Sequence, residues 1–260
     1  MVLVSKVRAT YRKLNHQFQK SLRLWRLWRL STRWHKAHPF LRRWTPNSVA
    51  TPSQETIGIY VINLRQREDR LREFSESASS NGIPNWNRVE AVLGTDGRPG
   101  LDGVWANSIG CSLSHNLALQ KFAESRHQVG LIFEDDTALD VPWGEVEKLI
   151  QEFTENPTLD VLCLSYRARG GSLVISKNLR LVVGAVGRGA YVVKRHMVRP
   201  LQSANLAGVP KLQKGNRRGK GDVMWGRLQT KKYFFAAPRW QTAHQNEGFS
   251  DIEQAVLGQR

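Results

Sequence analysis

Acidic residues are missing from the first fifth of the chain. No Asp or Glu precedes Glu55, while residues 1–44 carry twelve Lys and Arg. Those twelve account for most of the net charge of +17, leaving +5 for the remaining residues. A chain-wide basic surface of the kind that grips nucleic acid is thereby excluded, and the charge belongs to an N-terminal arm. Long apolar runs are also missing. No stretch approaches the ~18 apolar residues of a spanning helix. Arg and Lys interrupt every short apolar run near the N-terminus, which argues against a secretory signal. Cysteine is scarce: Cys111 and Cys163 each lie in an apolar segment, which reads as two buried thiols in a reducing compartment. No Gly-x-x-x-x-Gly-Lys-Ser/Thr phosphate loop occurs, so a P-loop phosphotransferase is excluded.

What the chain does contain divides into three parts. In residues 1–44, Val4, Val7, Tyr11, Leu14, Phe18, Leu22, Trp25 and Trp28 recur at gaps of three and four. That spacing predicts a basic amphipathic helix, its apolar side widened by Leu24, Leu27 and Leu30. Residues 45–56, with Pro46 and Pro52 among Ser and Thr, read as a linker. From Ile57 to residue 260, short apolar runs alternate with amphipathic stretches. GIYVINL (58–64), VEAVLG (89–94), VGLIF (129–133), LDVLCLS (159–165), LRLVVGAV (179–186), AYVVK (190–194) and YFFAAP (233–238) are strand candidates. Residues 67–80 and 112–125 are helical candidates. This alternation predicts a single α/β domain around a mainly parallel sheet, whose ligands gather at the carboxyl ends of the strands.

Glu134, Asp135 and Asp136 follow the strand VGLIF directly. Three adjacent carboxylates repel one another beside a buried strand unless something positive compensates them. A divalent cation is the natural compensator, because hard cations take oxygen ligands and can also grip a diphosphate. The plainer alternative is a solvated acidic turn.

Four motifs in order resemble glycosyltransferase family 25, which includes bacterial lipooligosaccharide galactosyltransferases and collagen galactosyltransferases. They are VINLRQREDR (61–70), AVLGTDG (91–97), IGCSLSH (109–115) and LIFEDDTAL (131–139), with a weaker fifth, GAYVVKR (189–195). The resemblance spans roughly residues 57–195. It implies a GT-A-like domain that moves a hexose, galactose first, from a UDP-sugar to a glycan or lipid-linked acceptor with inversion. It also implies a divalent, manganese-like metal held by Asp136 and Glu134. Asn63, Arg65, Arg70, Asp96, His115, Glu134 and Asp135 would bind the donor, Arg through its planar fork of N–H groups.

Other residues are open to two readings. In IGCSLSH, Gly110 would let a helix start near a ligand and His115 donate to a phosphate or sugar hydroxyl. Equally, Ser114 would be a helix cap and His115 an interior residue. Asp222, at a helix start after the basic loop KLQKGNRRGKG, resembles the family's acidic residue at the start of a late helix, which makes it the preferred general base, its alternative a cap. His244 is the candidate third metal ligand, with Glu247 and Asp251 as weaker rivals. Lys211, Lys214, Arg217, Arg218 and Lys220 would close over a diphosphate or remain solvated. Two other function classes compete: a nucleic-acid-binding basic protein, which leaves the acidic triplet unexplained, and a metal-dependent phosphotransferase or hydrolase. The arm, basic and aromatic, predicts peripheral attachment to an anionic membrane surface on the cytoplasmic side; no specific nucleic acid is expected.

Overall fold

A computed structural model describes residues 2–37, 57–94, 103–168, 170–246, 248–250 and 255–257. The linker, Asp96, Glu247 and Asp251 lie outside these residues, as do the side chains of the arm before Phe18.

Helix α1 (Val2–Ala37) is followed by β1 (Ile57–Asn63), α2 (Glu68–Asn81), β2 (Asn87–Glu90) and α3 (Gly103–Glu124). Next come β3 (Val129–Glu134), β4 (Thr137–Leu139), α4 (Trp143–Glu155) and β5 (Val161–Ala168). After β6 (Ser172–Val174), β7 (Leu179–Val182) and β8 (Ala185–Lys194), the chain forms α5 (Val198–Leu212) and α6 (Gly221–Lys231). Four short strands close it: β9 (Phe235–Pro238), β10 (Ala243–Gln245), β11 (Gly248–Ser250) and β12 (Ala255–Leu257).

Eight strands form one sheet in the order β2-β1-β3-β8-β5-β9-β7-β6. The central strands β1, β3 and β8 read as unbroken apolar runs because both faces of the sheet are covered, the signature of an α/β layer structure. On one face Ile59, Val61, Leu131 and Phe133 pack with Phe74 of α2, with Val146, Leu149, Ile150 and Phe153 of α4, and with Leu30 and Trp34 of α1. On the other, Tyr60, Ile132 and Tyr191 pack with Leu119 and Phe122 of α3, Leu201 of α5 and Trp225 of α6.

The expected mainly parallel sheet is found with two of its eight strands reversed. β1 pairs parallel with β2 and β3, and β5 with β9. The neighbours β3–β8, β8–β5, β9–β7 and β7–β6 are antiparallel. The sheet is therefore mixed: β8 enters the middle of it in reverse, and β7 is reversed between β9 and β6. Both apolar segments at 179–194 were legible as strands; their direction was not, since side-chain alternation is the same either way.

Helix α3 starts at Gly103, nine residues before the expected start. Gly110 consequently sits in mid-helix, where a Cβ would come within 2.6 Å of the Val92 carbonyl oxygen and within 2.9 Å of Gly94. The glycine seats α3 against the chain leaving β2; it does not open the helix start to a ligand. Ser114 is no cap either. Its hydroxyl accepts from the Val92 amide at 2.9 Å and donates to the Gly110 carbonyl at 2.8 Å, pinning the same crossing. Arg195, from the weakest motif, donates to the carbonyls of Ala123, Ser125 and His127, closing the C-terminal end of α3.

Candidate active site

The acidic triplet stands at the carboxyl end of β3, between the end of β1 and the middle of β8. Extended backbone sends alternate side chains to opposite faces. Glu134 and Asp135 accordingly diverge into two different sets of partners.

Glu134 is held from beneath. His115 Nε2 lies 2.9 Å from Glu134 Oε1, and His115 Nδ1 lies 3.1 Å from the Tyr191 hydroxyl. His115 is completely buried, and desolvation, with the Arg188 charge second, pushes its pKa well below the usual 6.5. The ring is neutral, so one nitrogen carries a proton and the other accepts. Burial also raises the Tyr191 phenol, which keeps its proton and donates to Nδ1. The network therefore assigns the Nε2–H tautomer, with the proton aimed at Glu134. On the opposite side Gln245 Nε2 donates to Glu134 Oε2 at 3.0 Å and approaches Asp136 Oδ1 at 3.4 Å.

Asp135 is held from the β1 side. Asn63 Nδ2 donates to Asp135 Oδ2 at 2.6 Å, and Asn63 Oδ1 accepts from Arg88 Nη2 at 2.6 Å. Arg70, on the first turns of α2, brings its guanidinium to 3.4 Å from Asp135 and 3.7 Å from Asp136. The Asp135 amide donates to the Ile62 carbonyl, and the Asn246 amide to the Asp136 carbonyl, which fixes the turn between β1 and β10.

This cation supply is insufficient for three carboxylates. Burial, then repulsion from Asp136, raises Asp135 to about 7. Burial, then repulsion from Glu134, raises Asp136 to about 6. Glu134 is raised too, by burial first, although the Arg188 charge opposes the shift. The cluster is a set of oxygen ligands that strains to hold its own negative charge, and an added cation relieves it.

Beneath Glu134 lies a second group that sequence reasoning did not assemble. Arg188, on β8, is buried; its guanidinium donates to Asn205 Oδ1 at 3.0 Å and Cys111 Sγ at 3.2 Å and stacks over Trp225. Cys111, His115 and Glu134 each offer one ligand atom, all within 4.8 Å of one another, a set compatible with a divalent metal. Desolvation holds the Cys111 thiol up at about 12. As a protonated thiol gripped by a buried guanidinium it is a poor ligand, so the carboxylate oxygens fit a cation better. The one available signal was Cys111 and His115 at i and i+4, together with a lone arginine between glycines in an apolar strand, GRGAYVV.

The remaining predicted residues separate. Asn63, Arg70, His115, Glu134, Asp135 and Asp136 come together. Arg65 does not: its side chain is 82% exposed and only 3.9 Å from Glu90 in a surface pair. Its neighbour Arg67 is engaged with Asp69 at 2.8 Å. His244 is turned to Asp140 at 2.5 Å, and the next residue, Gln245, is the one that faces the carboxylates, because adjacent strand residues point to opposite sides. Asp222, in the first turn of α6, accepts from the amides of Gly187 at 3.1 Å and of Val223 at 2.7 Å. Gly187 has φ +93°, so Asp222 pins a backbone bend that favours glycine, and its charge reaches Glu134, His115 and Arg188. In the basic loop, Lys211 Nζ lies 3.4 Å from Met224 Sδ. Arg217 and Arg218 form a 3-10 turn capped by the Asn216 side chain.

No protein-family model matches the chain, and no curated protein matches it. Among solved structures, A197 from STIV aligns over 78% of this chain and 94% of its own, at 16% identity and a TM-score of 0.42. A glycosyltransferase involved in glycosylation of the major capsid of PBCV-1 aligns over 70% of this chain and 81% of its own, at 12% identity and a TM-score of 0.43. At these scores the reading of the site rests on its own residues.

Proposed function

We propose that the protein is a metal-dependent glycosyltransferase that takes a sugar from a nucleoside-diphosphate donor. The observation that carries this reading is the triplet Glu134-Asp135-Asp136 at the carboxyl edge of the sheet, its pKa values raised although Arg70 is set against Asp135 and Asp136. Asp136 and Glu134 are the residues that would hold the divalent cation, manganese by the motif resemblance. Once bound, the cation offsets the charge that grows on the departing diphosphate.

The chain's own residues do the rest. His115 and Gln245 fix Glu134 from both sides, so it needs no reorganisation to bind. Asp135, held by Asn63 and Arg70, is the proposed acceptor of a ribose hydroxyl. Arg70 balances the cluster, and as a guanidinium beside the carboxylates it is the proposed partner of a diphosphate oxygen. Asp222 is the proposed base that takes the proton of the acceptor hydroxyl, which leads to inversion. By the motif resemblance the donor is a UDP-hexose, galactose first, and the acceptor a glycan or glycolipid.

The test is donor consumption by the purified chain with manganese and a panel of UDP-sugars, with and without acceptor glycans. Turnover of one donor, abolished by chelator and by Asp136→Ala, supports the reading. Metal-dependent release of inorganic phosphate with no sugar transferred would place the same carboxylates in a phosphohydrolase and sink it.

A further inference from the structure

Helix α1 carries apolar side chains on two sides, and the body of the protein covers one of them. Leu27, Leu30 and Trp34 face inward. Leu30 and Trp34 are buried in the core, and the Trp34 ring meets Phe234 edge-on at 5.4 Å. Leu27 lies so close to Gly171 that a Cβ there would come within 2.3 Å of it. At about 100° per residue these three positions fall within an arc of roughly 60°.

Phe18, Leu24, Trp25 and Trp28 occupy the far side. They remain 63%, 59%, 48% and 64% exposed, although they are among the largest apolar side chains in the helix. The expected single stripe is thus two: its leucine extension at Leu27 and Leu30 docks, while Phe18, Leu24 and Trp28 stay exposed and Trp25, half exposed, borders the cleft against Val183 and Gln229. A large outward aromatic face on an ordered, docked helix is a surface that something covers.

Charge identifies the cover. The helix contains no Asp or Glu, and Arg23, Arg26 and Arg29 punctuate its last turns, while Arg33 lies over the Phe234 ring on the docked side. The Arg29 guanidinium stacks over the Trp25 ring at 4.8 Å, which ties a cation to the aromatic face. A second copy of α1 would bring like charges together with no acid to pair them. Anionic headgroups supply the opposite sign, tryptophan settles at the headgroup boundary, and arginine stems lie along the apolar surface with their heads in the polar layer. No described helix is long and apolar enough to cross a membrane, so the face lies on the bilayer and does not span it.

We propose that the Phe18–Leu24–Trp25–Trp28 face of α1 docks on an anionic lipid bilayer, while Leu27, Leu30 and Trp34 fasten the same helix to the sheet. The helix is then a rigid strap that sets how the body stands on the membrane. This stands apart from the chemistry of the acidic site.

The experiment uses the full chain and extruded phosphatidylcholine vesicles, with or without roughly a third phosphatidylglycerol. Sedimentation should give at least ~10-fold stronger binding to the anionic vesicles, reduced by high salt. Phe18→Ser/Leu24→Ser/Trp28→Ser should lose ~10-fold or more of that binding. Its thermal midpoint should match the wild type, since all three side chains are exposed. Brominated lipid should quench tryptophan emission, and Trp28→Phe should remove part of the quenching. Equal binding to neutral and anionic vesicles, or undiminished binding by the triple variant, overturns the proposal. So does a dimer in analytical ultracentrifugation, or RNA binding, that the triple variant abolishes.

Discussion

Replacing Asp136 by asparagine should make the metal-free protein more stable at pH 8, an unusual direction for a change at a candidate active site. Asp136 is raised from 3.8 to about 6 by burial and by Glu134, so the folded state holds its proton more tightly than the unfolded chain does. Between about pH 4 and pH 6 the folded state binds more protons, and stability falls as pH rises through that window. Above it the cost is fully present. Two units correspond to about 3 kcal/mol. Asp136→Asn removes that charge, keeps an oxygen for Gln245, and leaves Arg70 its contact with Asp135. The variant should therefore gain about 1–3 kcal/mol at pH 8 relative to wild type, the lower bound allowing for relaxation of Arg70. That is roughly 2–6 °C in the melting midpoint of a chain this size. At pH 4 the two proteins should melt together. Manganese should stabilise the wild type at pH 8 by relieving the same repulsion, and the variant much less. Differential scanning fluorimetry across pH, with chelator or manganese, measures all of it. A variant less stable than wild type at pH 8 in chelator would refute the reasoning, because it would show the carboxylate to be satisfied in the metal-free fold.

Asp222→Asn should keep donor binding, read by calorimetry, but lower sugar transfer by about 10²–10⁴-fold; loss of thermal stability with turnover intact would show that pinning Gly187 is its whole role. Arg188→Ala should cost about 3–5 kcal/mol in denaturant unfolding, since it empties a buried site and strips Glu134 and Asp222 of the nearest buried cation; a change under about 1 kcal/mol would mean that the guanidinium is dispensable. Gly171→Ala should destabilise by about 1–3 kcal/mol by pushing Leu27 off the start of β6, and trypsin should then cut at Arg26 and Arg29 faster than in wild type; unchanged cleavage would show that α1 is not seated there.

Much of this protein is written locally. The strands at 58–64, 129–133, 159–165 and 233–238 were legible because apolar runs of that length, bounded by polar segments, have few other uses. The triplet at 134–136 announced itself for the same reason: three acids behind a buried strand need compensation wherever the strand lies. Asn63 and Arg70 were singled out by the motif resemblance, and they stand at the end of β1 and in the first turns of α2, elements that the apolar pattern disclosed.

Partners distant in the chain were a matter for the tertiary structure alone. Gln245 reaches Glu134 across 111 positions and Arg188 reaches Cys111 across 77, distances over which no local pattern carries information. His244 and Gln245 are adjacent, and which of them faces the carboxylates depended on the register of β10 against β4. The antiparallel entry of β8 was likewise hidden, because strand direction leaves no mark on side-chain alternation. In α1 the periodicity disclosed a helix but merged two faces into one stripe. Only the position of the sheet, with Gly171 open beneath Leu27 and Phe234 against Trp34, separated the residues that fasten the helix from those left facing outward.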